Sequence, residues 1–188
     1  MKEGRSSGFT FIELLIVIIL IGFIMAMAVL AITSWMPGYY LKSAARDIKS
    51  QILQCKMRAV KDNCSCEMHF APAGQKYKIV NAAGCTNTYS QEIDLAQEYR
   101  GYPKFGDSGY GKACEEASGS PSVGTTFPTF AGEGGYQFRV VFQSNGRPSL
   151  AQTGGVYLRN EKGQAYAICV NPAGGVRMYQ WDKKWELR

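Results

Sequence analysis

The chain has 188 residues, enough for one ordinary domain with an appendage and too few for a multidomain machine. Its formal charge is +6, and the basic excess is concentrated between Lys42 and Lys61, where Lys42, Arg46, Lys49, Lys56, Arg58 and Lys61 face Asp47 alone. A single histidine, His69, excludes a typical histidine-based metal site or proton relay.

The first predicted element is apolar. From Leu14 to Ile32 there is no charged residue, and nineteen residues of helix rise roughly 28 Å, about the hydrocarbon thickness of a bilayer. A buried soluble helix is rarely apolar on every face for so long, so the segment reads as a membrane span. Lys2 and Arg5 precede it, which places the N-terminus in the cytoplasm and exports the rest. The alternative is a cleaved secretory signal with its exit at Ala26-Met27-Ala28, giving a secreted disulfide-rich β protein. Against that, the apolar run continues through Val29, Leu30 and Ile32, and Glu13 falls where a signal has no use for a charge.

Glu13 is the informative residue. A carboxylate near the bilayer interior costs roughly 2.5–3.5 kcal/mol and is retained when it pairs with a cation or protonates. The segment supplies no Lys, Arg or His. An α-amino group at Phe9, created by cutting after Gly8, would serve, either in the same chain or from a neighbouring copy.

Gly8-Phe9-Thr10-Phe11-Ile12-Glu13-Leu14-Leu15 behind a short basic leader resembles the prepilin cleavage motif of type IV pilin-like proteins. The resemblance implies that a prepilin peptidase cuts after Gly8 and N-methylates Phe9. It also implies that Glu13 pairs with the N-terminal amine of an adjacent subunit during assembly. Gly22 weakens the helix by roughly 1 kcal/mol relative to alanine. The resemblance implies loosening there within a filament, while close packing on another helix explains the glycine equally. The proline that many members carry farther along the span is absent, Leu30 standing near that place, and Pro37 is expected to kink or interrupt the helix instead. Trp35, Tyr39 and Tyr40 suit the outer membrane interface.

Beyond Gly38 the helical period resumes. Leu41, Ala45, Ile48, Ile52, Cys55 and Ala59 recur at spacings of three and four, one apolar stripe with the basic residues mainly off it. That pattern packs one side on a domain and shows charge to solvent, and the charge reads as a solvated face beside a membrane. Asn63 is the stop signal. The stretch from Leu41 to Asn63 is similar to the stem of minor pseudopilins and minor pilins of the GspH/FimT class, with Leu41, Ala44, Ala45, Arg46, Ile48, Arg58, Ala59 and Asn63 filling the pattern loosely. Cys55 and Lys56 depart from it.

From Cys64 the period becomes two. Segments 66–70, 76–80, 136–142, 154–160, 164–170 and 175–181 read as strands. They are punctuated by Pro72-Ala73-Gly74, Asn145-Gly146, Glu161-Lys162-Gly163 and Asn171-Pro172-Ala173-Gly174. Segment 92–99 fits a short strand or a helix, and about 84–135 reads as a long variable loop, either a contact surface or a surface insertion. The fold class is therefore α+β: a leader over 1–8, a transmembrane and assembly helix over 9–36, an amphipathic stem over 37–63, and an exported antiparallel β domain over 64–188. The resemblance implies two small sheets packed over the stem.

Six cysteines (Cys55, Cys64, Cys66, Cys85, Cys114 and Cys169) in an exported chain suggest disulfides whose pairing sequence does not choose. Cys64 or Cys66 with Cys85 would tie the start of the domain, and Cys114 would staple the loop. The chain shows no haem motif, no phosphate-binding glycine loop and no nucleophile–base pair. It therefore reads as a structural subunit without cofactor or catalytic residues. Some FimT-like minor pilins take up DNA through a Gly-Arg-x-Arg segment. Here that place reads Gly174-Gly175-Val176-Arg177, without the first arginine, and Arg177, Lys183, Lys184 and Arg188 form a basic end beside Tyr179, Trp181 and Trp185. Expected partners are other pilin or pseudopilin subunits, the prepilin peptidase and the inner membrane, with DNA as the alternative. The expected location is single-pass in the bacterial inner membrane with a periplasmic domain, or extracellular within a filament.

Overall fold

The structure is a computed structural model that describes residues 8–81, 85, 89–106, 113–114, 127, 135–149, 154–182 and 184–188. Two compact units divide at Met36/Pro37. One helix, α1 (Phe11–Lys61), contributes to both. Helical residues continue through Pro37, so the expected interruption does not occur. A proline inside a helix removes one N–H, here the donor to the Thr33 carbonyl, and its ring crowds that carbonyl, yet the helical residues run on past it. In the turns just before it, Thr33 Oγ1 donates to Val29 O at 3.2 Å and Ser34 Oγ to Ala31 O at 2.8 Å.

In the first unit the large apolar side chains of α1 lie open, with Ile18 61% and Phe23 65% exposed. Among the described residues α1 is the one helix long and apolar enough to cross a membrane.

In the second unit the same helix is buried on one side. Leu41, Ala45, Ile48, Ile52, Cys55 and Ala59, the stripe expected from the spacing, are fully buried, and Ala44 is buried beside them. The helix stops at Asn63, whose φ of 47° is left-handed. Cys64 N donates to Ala59 O at 3.1 Å and Asn63 N to Val60 O at 3.4 Å, the bond pair of a Schellman cap, which satisfies carbonyls the helix leaves open.

Among the described residues ten further elements follow: β1 (Cys66–Ala71), β2 (Lys76–Asn81), β3 (Ser90–Asp94), α2 (Leu95–Glu98), β4 (Lys104–Phe105), β5 (Phe138–Phe142), β6 (Gly154–Arg159), β7 (Ala165–Val170), β8 (Val176–Asp182) and β9 (Lys184–Leu187). They form two antiparallel sheets in the orders β3-β2-β1-β5 and β4-β6-β7-β8-β9. The helix stripe, Met68, Phe70, Ile79 and Phe142 of the first sheet, and Val156, Leu158, Ile168 and Val170 of the second belong to one buried cluster. The fold is α+β, a helix against two sheets. Residues 92–99 are strand and helix in succession, because Asp94 closes β3 and its side chain accepts from Ala96 N, capping α2. β3, α2 and β4 give regular structure to the start of what reads as a loop in the sequence. Most of the remainder of 84–135 lies outside the described residues.

Side-chain bonds fix the helix to its cover. The Tyr99 hydroxyl donates to Asp47 Oδ2 at 2.7 Å, and burial first, then that carboxylate, pushes the phenol pKa up. Lys56 Nζ donates to Gly174 O at 2.8 Å in the β7–β8 turn, and the Arg58 guanidinium lies 3.6 Å from the centre of the Tyr89 ring. On the outer side of β1, His69 Nε2 meets Glu67 Oε2 at 2.7 Å and Arg139 Nη1 meets it at 3.3 Å. The lone histidine is thus a largely buried hydrogen-bond partner of Glu67.

The six cysteines form three disulfides: Cys55–Cys66, Cys64–Cys85 and Cys114–Cys169, with Cα separations of 5.5, 5.9 and 5.4 Å. Cys64 is the partner of Cys85, while Cys66 points inward on β1 and closes on the helix at Cys55. Cys114 is joined to the second sheet.

Ile48→Ala should lower the unfolding free energy of the detergent-solubilised chain by about 2–5 kcal/mol. Met57→Ala, at a side chain 62% exposed, should change it by less than about 0.5 kcal/mol. Thermal melts of the two variants check the contrast. The hydrogen bond from His69, with the Arg139 charge adding, holds Glu67 below its ordinary 4.5. A depressed folded-state value stabilises above 4.5 and loses that contribution as pH falls through the depressed value. The melting temperature should therefore fall more steeply below about pH 4.5 in the parent than in Glu67→Gln.

Candidate processing and assembly site

Helix α1 begins one residue after Thr10, and its first turn is closed by a reciprocal pair. Glu13 N donates to Thr10 Oγ1 at 3.3 Å, while Glu13 Oε2 accepts from Thr10 N at 3.1 Å and from Thr10 Oγ1 at 3.0 Å. This is a capping box, in which the residue before the helix and the third helical residue satisfy each other's backbone donors. Glu13 therefore has a partner within its own chain. The sequence signal for it is Thr-x-x-Glu ahead of an apolar run, which a reading from the cost of a membrane carboxylate misses.

Gly8 and Phe9 lie outside the helix, and Phe9 is 85% exposed. The bond between them is in non-helical backbone, with nothing within 4 Å of where a β-carbon on Gly8 would sit. Cutting there would put a new amino group one residue before the Thr10–Glu13 pair. Gly22 lies within α1 with open space on its α-carbon. The basic leader residues Lys2 and Arg5 lie outside the described residues.

Of the C-terminal cations, Arg177 and Arg188 lie on opposite faces of the second sheet. Arg177 pairs in register with Cys169 on β8 and shares its sheet face with Tyr179. It borders a cleft of about 210 Å³ with Cys114, Asn171 and Tyr179. The other face of β8 carries the buried Met178. Arg188 N donates to Met178 O at 2.8 Å, which puts Arg188 in register with Met178 and on that opposite face, and its guanidinium lies 3.5 Å from Glu186. Lys184 pairs with Asp182 in the β8–β9 ladder, and Lys183 lies outside the described residues. Sequence reading misses the strand β9, which appears there as a basic end beside aromatic residues.

Beside Arg177 the outer face of the second sheet is covered. The Tyr157 hydroxyl accepts from Ala113 N at 3.0 Å and Cys114 N at 3.2 Å. A β-carbon on Gly155 would overlap Cys114 Sγ, so only glycine lets the disulfide lie flat on β6 and β7. This accounts for the complete burial of β7: Tyr166, Ile168 and Val170 are in the main core, and Ala167 and Cys169 pack with Cys114 and Tyr157.

Residues 4–33 match the family model described as the prokaryotic N-terminal methylation motif. No curated protein matches the sequence. Among solved structures, the chain is similar to the minor pseudopilin EpsH of the type 2 secretion system of Vibrio cholerae. That match has 9% identity and a TM-score of 0.46, over 73% of this chain and 94% of that one. It is also similar to the type IV minor pilin FimU of Pseudomonas aeruginosa, at 13% identity and a TM-score of 0.48, over 78% of this chain and 92% of that one. The methylation motif spans the exposed Gly8–Phe9 bond, the capped helix start and the apolar run, so it is the N-terminal segment of the chain that carries the prokaryotic N-terminal methylation motif.

Proposed function

We propose that the chain is a minor structural subunit of a type IV pilus or of the short filament of a type II secretion system. It is held in the inner membrane and processed by a prepilin peptidase after Gly8. The observation that carries this reading is the methylation motif over residues 4–33, sited on an accessible bond at the head of an uncharged helix. The stem pattern of Leu41 to Asn63 and the two sheets packed over it support the GspH/FimT class.

The physical logic is a change of partner. In the uncut chain the Glu13 carboxylate caps its own helix. After the cut, the α-amino group of Phe9 supplies the cation that the apolar segment lacks, and that of a neighbouring subunit neutralises Glu13 as the helices pack. An unpaired charge in that setting is costly, so the pairing sets the axial register between subunits. The exported domain then faces outward or caps the tip.

Mass spectrometry of sheared pili and of the remaining membranes, with peptides that report the N-terminus, tests this. A trace component of the sheared fraction beginning at methylated Phe9 indicates a minor pilin. A chain processed at Phe9 that stays with the membranes indicates a secretion pseudopilin. A mature start at Val29 overturns the proposal in favour of a secreted protein. Glu13→Ala should leave processing at Phe9 intact and lower recovery in filaments by about tenfold or more, since removing one partner of a buried ion pair costs about 3–5 kcal/mol.

A further inference from the structure

The domain is entered at Pro37, and the surface that borders Pro37 is unusually cationic. A cleft of about 250 Å³ is lined by Pro37, Arg100, Gly101, Tyr102, Glu161 and Lys162. An adjoining cleft of about 300 Å³ shares Glu161 and adds Lys104 and Arg159. Four cations thus surround one carboxylate. Glu161 is 82% exposed and lies 3.0 Å from Lys104, a surface pair that solvent and salt weaken. Arg100, Arg159 and Lys162 are exposed. Arg100 and Gly101 both have positive φ, 55° and 72°, a sharp turn at the rim of the cleft. The aromatic residues are placed to match: Tyr102 stacks on Tyr40 at 5.4 Å between ring centres, and Tyr39, 55% exposed, meets Tyr40 edge-on.

Position along the chain gives this rim a level. If Leu14 to Ile32 fill the hydrocarbon core, Pro37 follows five residues later, roughly 8 Å along the helix, which is about the depth of one headgroup layer. Tyrosine rings and long cationic side chains are the groups that settle in that layer. We propose that the rim formed by Arg100, Lys104, Arg159 and Lys162 binds the anionic phospholipid headgroups of the membrane crossed by the apolar helix. This rests on the membrane-anchored reading above. The rim gives the subunit a lipid-dependent hold on the bilayer surface in addition to its span, one that ionic strength releases.

The test uses the full chain in vesicles of phosphatidylcholine, with and without phosphatidylglycerol. Acetylation of Lys104 and Lys162 by a water-soluble reagent is followed by mass spectrometry. Lys61, at the far end of α1, is the internal reference. At low salt, phosphatidylglycerol should slow acetylation of both rim lysines about threefold or more, and high salt should abolish the difference. Lys61 should be unaffected. Arg100→Gln with Arg159→Gln, both at exposed positions, should remove most of the protection of Lys162. Equal rates in the two vesicle types, with the chain still resistant to alkaline extraction, overturn the rim proposal alone. Extraction of the chain by alkali overturns the membrane-anchored reading and the rim with it.

Discussion

Burial of one stripe of α1 is the constraint on which the domain depends. Seven side chains from Leu41 to Ala59 are fully buried, and side chains from both sheets meet them. Phe70 of the first sheet also meets Phe127 and Phe105, so the stripe is the largest but not the sole cover of the sheets among the described residues. The same helix, a few turns earlier, has no such cover, and its apolar side chains stand open. A single secondary structure therefore carries two opposite demands: one half is completed by its own chain, and the other requires an apolar environment from outside.

Much of this was legible because it follows from periodicity. The stripe at spacings of three and four predicts the buried face of α1 except for Ala44, and alternation at two predicts β1, β2, β5, β6, β7 and β8 within a few positions. The misses have physical reasons. β4 has two residues and no period. β9, Lys-Trp-Glu-Leu, is stabilised by its register with β8 and carries charge at alternate positions, so it resembled a solvated tail. Pro37 reads as a kink or an interruption, and the helix is not interrupted there, since the well-formed turns on both sides outweigh the lost donor and the crowding of its ring.

The ends of the helix show the difference between a local and a global signal. Asn63 as a stop, with its left-handed φ, is a local matter and was read correctly. Thr10 with Glu13 is equally local, but the charge invited an explanation from a distance. Both explanations apply to the same carboxylate, since a hydrogen-bonded cap leaves its negative charge in place. For the disulfides, spacing narrowed Cys85 to two partners, and the inward direction of Cys66 on β1 decided between them. No sequence pattern linked Cys114 to Cys169, because that bridge depends on the absence of a side chain at Gly155.

The pairing has an implication for maturation. Taken in order along the chain, the first and third cysteines are joined, as are the second and fourth, so two of the bridges interlock. A chain oxidised strictly in order of emergence would join Cys55 to Cys64 and leave Cys66 to find Cys85. The native arrangement thus requires that β1 be docked on the helix before its thiols are spent, or that an early bond be exchanged by thiolate attack. The order of docking and oxidation, and not the cysteine spacing alone, therefore decides whether this chain reaches its native pairing directly or by exchange.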